Sequence, residues 1–253
     1  MRKPISPSIK ADKASLSEIL ALRKLFLESH NFQIRYDACH RRNWSDSYLF
    51  KTRQTIIGYG SVKGLKELQD RDAIFEFFVL PGYEKWSNQC LTELVQATKA
   101  KYIETQSNAS LLTQLLYESC QNIKATNILF EDHHQTHFKY PDVKFRPNEP
   151  SDDNWKKAPS EKGAYVLEKK GQILADGGFL THYNEPFADL YMEVKSNYRN
   201  KGYGTYILQE IKKVCYAHHK KPAARCNIDN QASKATLIKA GLKICGYMLL
   251  GKL

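Results

Sequence analysis

The sequence has few cysteines, and none of them are spaced as metal ligands or as a disulfide framework. The six cysteines among 253 residues are scattered, and no two form a Cys-x-x-Cys pair. This pattern argues against a zinc site and is typical of a protein kept in a reducing compartment. We therefore expect no metal and no disulfide.

Long apolar runs are also missing. Nowhere do 18 consecutive apolar residues occur, so no segment has the length that a transmembrane helix needs. The first seven residues lack the apolar core of a secretory signal peptide. We expect a cytoplasmic protein without a membrane partner.

The familiar nucleotide-binding fingerprints are absent, but a different glycine loop is present. Neither the Walker pattern nor the dinucleotide pattern Gly-x-Gly-x-x-Gly fits the sequence around Gly204. What stands there is Arg199-x-x-Gly202-x-Gly204, which follows an apolar segment at 190–194. An amphipathic helix is predicted directly after the loop, with Ile207, Leu208 and Ile211 on its apolar face.

A strand, a glycine loop and a helix in this order predict an anion site. Glycines let the backbone approach a ligand closely, and a helix N-terminus supplies unpaired amides and a positive dipole end. The net charge is +11, of which residues 139–253 carry +8 and residues 1–138 carry +3. The basic excess therefore lies in the half with the loop, although a generally basic protein remains the alternative.

The residues downstream of the loop indicate which protein family this part of the sequence resembles. A predicted strand at 223–228 precedes a helix at 229–242, which reads Asn230-x-x-Ser233 at its start and Lys239-Ala240-Gly241 at its end; a closing strand covers 243–250. This succession closely resembles the GNAT superfamily of acyl-coenzyme A N-acyltransferases. The resemblance implies acetyl-coenzyme A (acetyl-CoA) as co-substrate and direct transfer of its acetyl group to an amine in a ternary complex.

The resemblance also implies which residues contact acetyl-CoA. The loop amides would bind the pyrophosphate, the backbone of the preceding strand would run beside the pantetheine, and the Val194 amide would polarise the thioester carbonyl. Asn230 is either a pantetheine contact or a helix cap, and both roles can coexist. The expected binding residues are Met192, Glu193, Val194, Arg199, Asn200, Lys201, Gly202, Tyr203, Gly204, Thr205, Asn230, Ser233 and Lys234.

The catalytic groups are less well specified. Deprotonation of the acceptor amine needs a general base, and Glu193 is the only carboxylate within the apolar strand; Asp189, at its start, is the second choice. Strand alternation does not decide which face Glu193 occupies. Many family members carry a Tyr general acid where this chain has Leu237, so Tyr191 or water is the candidate acid.

The first half follows the same order of predicted elements without the glycine loop. A strong strand at 73–80 is followed by helices near 87–99 and 108–119 with a strand between them, and Asn108-Ala109-Ser110 parallels the start of the later helix. Residues 81–86 replace the loop, and Glu84 places negative charge where phosphates would lie. We interpret this half as a degenerate GNAT-like domain; an unrelated α/β cap is the alternative.

The predicted fold is therefore α/β (α+β), with tandem GNAT-like domains that each contain a mixed, mostly antiparallel sheet flanked by helices. The predicted boundaries are 1–135 for the degenerate domain, 136–160 for a linker and 161–253 for the acetyl-CoA-binding domain. Too few residues precede the first strand of the second domain for two front helices. The first half, or an exchange of strands with it, must therefore supply the wall of the acceptor cleft.

Three classes of function remain open at this stage. The first is an N-acetyltransferase with a small-molecule or peptide amine as acceptor. The second is a CoA-binding sensor or scaffold without transferase activity, which the Leu237 departure favours. Nucleic-acid binding is favoured only by charge, because no dense basic run with interleaved aromatic residues accompanies it. A homodimer is also left open.

Overall fold

A computed structural model describes residues 8–31, 36–53, 55–155, 158–181 and 184–253. The signal-peptide region considered above, residues 1–7, lies outside them. By their contacts the described residues divide into two compact units: one holds those up to residue 126 together with 247–253, and the other holds those between 127 and 246. No helix of the described part is long and apolar enough to cross a membrane.

The first unit is a mixed sheet with helices. Its elements are β1 (Ile9–Ala14), α1 (Leu16–Glu28), α2 (Tyr36–Arg41), β2 (Ser45–Thr52), β3 (Thr55–Lys63), β4 (Ala73–Val79), α3 (Ser87–Thr98), β5 (Tyr102–Gln106), α4 (Ser110–Ser119) and the first half of β6 (Gln121–Asp132). Strands β1 to β4 pair in sequence order and antiparallel, and β4 pairs with β5 in parallel. Leucine, isoleucine and phenylalanine side chains from these strands, α3 and α4 form its core.

The second unit repeats this arrangement. Its elements are the second half of β6, β7 (Lys144–Pro147), β8 (Tyr165–Lys169), β9 (Gln172–Leu180), β10 (Phe187–Val194), α5 (Tyr203–Ala217), β11 (Lys221–Asn227), α6 (Gln231–Lys239) and the start of β12 (Leu242–Lys252). Strands β7 to β10 pair in sequence order and antiparallel, and β10 pairs with β11 in parallel. The prediction of two similar halves with mixed, mostly antiparallel sheets is confirmed.

Each unit takes its last strand from the other half of the sequence. In the first unit, β5 pairs antiparallel with the end of β12, from Met248 to Lys252. In the second unit, β11 pairs antiparallel with the end of β6, from Asn127 to Glu131. The predicted boundaries at 1–135 and 161–253 stay a prediction, and the contact-based units differ from them in these exchanged segments. The predicted linker, 136–160, contains β7 and lies within the second unit.

A buried ionic network lies in the first unit. The Glu76 carboxylate of β4 is fully buried and accepts hydrogen bonds from Arg23 Nε (3.1 Å) and the Tyr59 hydroxyl (2.9 Å), while His40 Nε2 lies 3.0 Å away. Burial raises the pKa of Glu76, but the charges and hydrogen bonds of Arg23 and His40 outweigh burial and lower it to about 2. Glu76 is therefore ionised at every physiological pH.

Candidate active site

Strand β10 leaves its parallel neighbour part-way along its length. Its pairing with β11 covers only Phe187, Ala188 and Asp189, whereas its pairing with β9 continues to Val194. Strand β11 meanwhile pairs with β6 as far as Asn227. Among the described residues, the last five residues of β10 thus have no strand paired on their β11 side.

The backbone groups that face this gap can be identified from the hydrogen bonds on either side. The Lys195 amide donates to the Leu174 carbonyl of β9 (3.0 Å), and the Lys221 amide donates to the Pro186 carbonyl (3.0 Å). In an antiparallel ladder, bonding to one neighbour alternates along the strand. The backbone groups of Met192 and Val194 therefore face away from β9, toward the gap, and can pair with an extended ligand.

The glycine loop follows β10 and leads into α5. Asn200 and Gly202 both adopt left-handed backbone conformations, with φ of 61° and 82°, and Gly202 is the N-cap of α5. The Arg199 side chain folds back, and its Nε donates to the Val194 carbonyl (3.1 Å). The loop thus places the N-terminus of α5 and its unpaired amides next to the open edge of β10.

Gly204 permits the close approach of three elements. A Cβ at this position would lie 3.2 Å from Met192 Cε and from Thr236 Cγ2, and 3.4 Å from Val194 Cγ2. The first turn of α5 is therefore packed directly on β10 and α6, and a side chain at Gly204 would require these neighbouring side chains to shift. The second glycine of the motif is explained by packing, whereas Gly202 is explained by its positive φ.

The open strand, the loop and α6 together line a cleft of about 490 Å³. Eleven of the thirteen predicted binding residues line it: Met192, Glu193, Val194, Arg199, Asn200, Gly202, Tyr203, Gly204, Thr205, Asn230 and Ser233. The other two, Lys201 and Lys234, do not belong to the lining. Four lining residues were not anticipated: Tyr198, Ala232, Ala235 and Thr236.

The spacing of the unanticipated α6 residues in the sequence could have predicted that they belong to the site. Ala232, Ala235 and Thr236 are spaced as neighbours on one helix face, three and four residues apart. Ser233 was already expected there, so the helical period could have extended the site to Thr236. At the start of α6, the Asn230 side chain accepts a hydrogen bond from the Ser233 amide (3.0 Å) and so caps the helix.

The family-model comparison supplies a match for this region. Residues 126–241 match the model described as the acetyltransferase (GNAT) family. The matched region is a little under half of the chain, and we call residues 126–241 the GNAT domain. This match supports acyl transfer as the general class of activity. No curated protein matches the chain.

Solved structures have a similar fold over nearly the whole chain. An acetyltransferase of the GNAT family from Colwellia psychrerythraea has a TM-score of 0.75 at 15% identity, covering 97% of this chain and 99% of its own. A GCN5-related N-acetyltransferase from Sphaerobacter thermophilus has 0.62 at 12%, with 96% and 95% covered. A tandem GNAT protein from the clavulanic acid biosynthesis pathway has 0.63 at 10%, with 97% and 98% covered. At these identities the likeness shows the fold, which is a tandem of GNAT-like halves.

The catalytic candidates of the GNAT domain lie on the face of β10 that is opposite α5. Met192 and Val194 pack into the core that contains α5, so the alternating residues Tyr191 and Glu193 occupy the other face. The Glu193 side chain is 46% exposed, and Arg199 Nη2 lies 3.8 Å from its carboxylate. Glu193 lines the cleft, whereas Tyr191 does not.

Tyr191 and Asp189 are less favourably placed. Tyr191 is 38% exposed, and its ring lies over Gly178 of β9, where an added Cβ would be 2.7 Å from its hydroxyl. Asp189 is buried, and its carboxylate lies 3.4 Å from Arg225 Nε. Asp189 is therefore engaged by a cation, which leaves Glu193 as the carboxylate at the cleft.

Leu237 and Cys226 do not supply the missing acid or a nucleophile. Leu237 is 4% exposed and belongs to the apolar core of the GNAT domain. Burial raises the pKa of the Cys226 thiol, although a hydrogen bond with Ser233 opposes this; a thiolate nucleophile is therefore disfavoured there. Among the described residues no three His, Cys, Asp or Glu side chains are grouped to hold a metal ion.

In the first half, the segment that corresponds to the glycine loop is hydrogen-bonded to one of its own side chains. Gly82 has a φ of 88°, as Gly202 does in the second half, but its amide donates to the Glu84 carboxylate (2.7 Å). Glu84 belongs to a 3₁₀ turn, Glu84–Trp86, that precedes α3. In the first half, a glycine amide at the place that corresponds in sequence order to the glycine loop of the GNAT domain is thus already hydrogen-bonded to a carboxylate of the chain.

Proposed function

We propose that the GNAT domain is an N-acetyltransferase that transfers the acetyl group of acetyl-CoA directly to an amine in a ternary complex. The observation that carries this proposal is the open edge of β10, which continues into the glycine loop along one cleft. The edge suits the amide-rich pantetheine arm, and the loop suits the pyrophosphate. A cleft of about 490 Å³ falls within the range for small-molecule sites.

The proposed chemistry assigns roles to three residues of β10. The acceptor nitrogen attacks the thioester carbonyl, a C–N bond forms, and the C–S bond breaks. The Val194 amide, which faces the gap, stabilises the negative charge that develops on the carbonyl oxygen. Glu193 takes the proton from the amine, directly or through water. Tyr191 or water returns a proton to the departing thiolate.

The remaining expected binding residues have positional roles. Lys201 and Lys234 lie beside the lining residues in sequence and are proposed to meet phosphate groups at the rim of the cleft. Asn230 is proposed to contact the pantetheine while capping α6. The acceptor is proposed to be a small molecule or a peptide amine, and the protein to work in the cytoplasm.

A CoA-binding sensor without transferase activity is the second candidate. Burial of Leu237 at the family's usual tyrosine position favours it, because that position offers no acid to the thiolate. Such a protein would bind acetyl-CoA through the same strand edge and loop, but it would release no thiol in the presence of amines.

Calorimetric titration of the purified protein with acetyl-CoA tests both candidates. We expect binding with a dissociation constant in the micromolar range, and no binding below about 1 mM would reject both. Thiol release is then followed with a panel of small amines, amino acids, polyamines and peptides. Release that depends on an amine supports the transferase, whereas binding without release across the panel supports the sensor.

A further inference from the structure

One aromatic residue from outside the glycine loop contacts the backbone of the loop. The Tyr140 hydroxyl donates a hydrogen bond to the Lys201 carbonyl (3.2 Å). A Cβ added at Gly202 would lie 2.0 Å from the same hydroxyl oxygen. The Tyr140 ring also packs against Tyr206, with 5.0 Å between ring centroids, and against Tyr203 at 5.5 Å. Tyr140 is not among the residues that line the cleft. It therefore contacts the loop on the side away from the cleft, which we call the outer side.

The segment that carries Tyr140 is held by α5. We call residues 133–140 the strap. The Gln209 side chain accepts from the Phe138 amide (2.7 Å) and donates to the Phe138 carbonyl (3.0 Å). The buried Lys212 ammonium, 2% exposed, donates to the His134 carbonyl (2.7 Å) and lies 2.7 Å from the Asp132 carboxylate. The strap is fixed without help from Tyr140.

The contact with Lys201 constrains the amide of the next residue. A peptide unit is planar and trans, so the carbonyl of Lys201 and the N–H of Gly202 point in opposite directions. Because Tyr140 holds the carbonyl on the outer side, the Gly202 amide is turned away from Tyr140. Gly202 itself lines the cleft. Glycine gives this peptide unit freedom to rotate, so its orientation needs an external constraint.

We propose that Tyr140 is a positioning residue that orients the Lys201–Gly202 peptide so that the Gly202 amide can donate to the pyrophosphate of the acyl donor. This inference rests on the proposed function, since it assumes that the loop binds a pyrophosphate. The expected effect is on donor binding, because the Lys201–Gly202 peptide belongs to the proposed pyrophosphate site, whereas the proposed chemistry takes place beside β10. Tyr140 itself contacts the loop, whereas the residues proposed for the chemistry lie on β10.

The test compares Tyr140→Phe with wild type, using two acyl donors. The substitution keeps the ring and its packing and removes only the hydroxyl. Loss of one hydrogen bond of ordinary strength corresponds to about three- to tenfold in an equilibrium constant. We expect KM for acetyl-CoA to rise by about that factor while kcat at saturation stays within about twofold. With S-acetylpantetheine, which lacks the pyrophosphate, KM is expected to stay unchanged.

The matched control is Tyr206→Phe, which removes a hydroxyl from the same aromatic group without touching the Lys201 carbonyl. We expect this control to leave KM for both donors unchanged. An unchanged KM for acetyl-CoA in Tyr140→Phe would overturn the inference, as would an equal rise with both donors, which would indicate general disturbance of the cleft. Tyr140→Leu provides a second variant with a larger expected rise for acetyl-CoA alone.

The proposed function fails in a different way from the inference. If wild-type protein shows no calorimetric binding of acetyl-CoA, the donor assignment is wrong and the role of Tyr140 falls with it. If wild type binds acetyl-CoA and Tyr140→Phe binds it equally well, the donor assignment stands and only the role of Tyr140 is rejected. Binding is read separately from turnover, so a sensor without transferase activity can be tested by the same variants.

Discussion

Replacing Gly202 by alanine tests the glycine loop most directly. Gly202 has a φ of 82°, and an L-residue in the left-handed region costs about 1 kcal/mol more than glycine. The new Cβ would lie 2.0 Å from the Tyr140 hydroxyl, so the tyrosine must move and its hydrogen bond to Lys201 is lost. That loss costs about 1 kcal/mol more. The expected loss in the free energy of unfolding is therefore about 2 kcal/mol.

Two glycines elsewhere in the chain serve as matched controls. Gly82 and Gly171 have φ values of 88° and 76°, and an added Cβ at either one meets nothing within 4 Å. Alanine at these positions should cost only the backbone term of about 1 kcal/mol. Urea unfolding measures the three losses, and calorimetry with acetyl-CoA measures the affinities. Affinity is expected to fall about tenfold or more for Gly202→Ala and to stay unchanged for Gly82→Ala and Gly171→Ala.

Two results would refute this reasoning. A loss of stability in Gly202→Ala no greater than in Gly171→Ala would show that Tyr140 does not hold the loop. Unchanged acetyl-CoA affinity in Gly202→Ala would show that the loop is not the phosphate site, even if the protein is less stable. Gly202→Glu adds a negative charge at the same position and should abolish binding if the assignment is right.

Three further predictions concern single side chains. Glu193→Gln should lower kcat at least tenfold with little change in acetyl-CoA affinity; equal turnover in steady-state assays would remove Glu193 as the base. Because the pKa of Glu76 is lowered from 4.5 to about 2, its contribution of about 3 kcal/mol is present above pH 4.5 and is lost as pH falls to about 2. Acid unfolding of Glu76→Gln should therefore start from lower stability and depend less on pH in that window, and an unaltered pH profile would contradict this. Lys212→Met should destabilise the protein by about 3 kcal/mol because Asp132 loses its buried partner; an unchanged urea midpoint would show that the pair contributes nothing.

The glycine loop could be predicted from sequence because its signals are local. Gly202, Gly204 and the apolar face of α5 lie within a dozen residues, and each requirement is written in the residue types themselves. The face of β10 that carries Glu193 could not be predicted, since alternation defines two faces without saying which one packs on a helix. In the structure, the packing of Met192 against α5 decides it.

An exchange of strands between the halves was one of the sequence-based alternatives, but the identity of the exchanged segments and the contact made by Tyr140 could not be predicted, for a related reason. The end of β6 and the end of β12 have similar apolar patterns, so nothing local says which half each one pairs with. Tyr140 lies in a segment with no regular period and approaches the loop from 61 residues away. Contacts of this kind depend on how the strap is held by Gln209 and Lys212. They are visible only once the chain is folded.

The two halves differ in the charged groups next to the corresponding loop amides, and this difference affects where a donor can bind. In the first half, Glu84 already accepts the hydrogen bond of the Gly82 amide. An incoming phosphate would have to displace that carboxylate and then approach its charge, which is unfavourable at short range. In the second half, residues 199–205 contain no carboxylate, and Arg199 and Lys201 add positive charge beside the amides. A donor that carries phosphates is therefore expected to bind one half only, with a stoichiometry of one per chain.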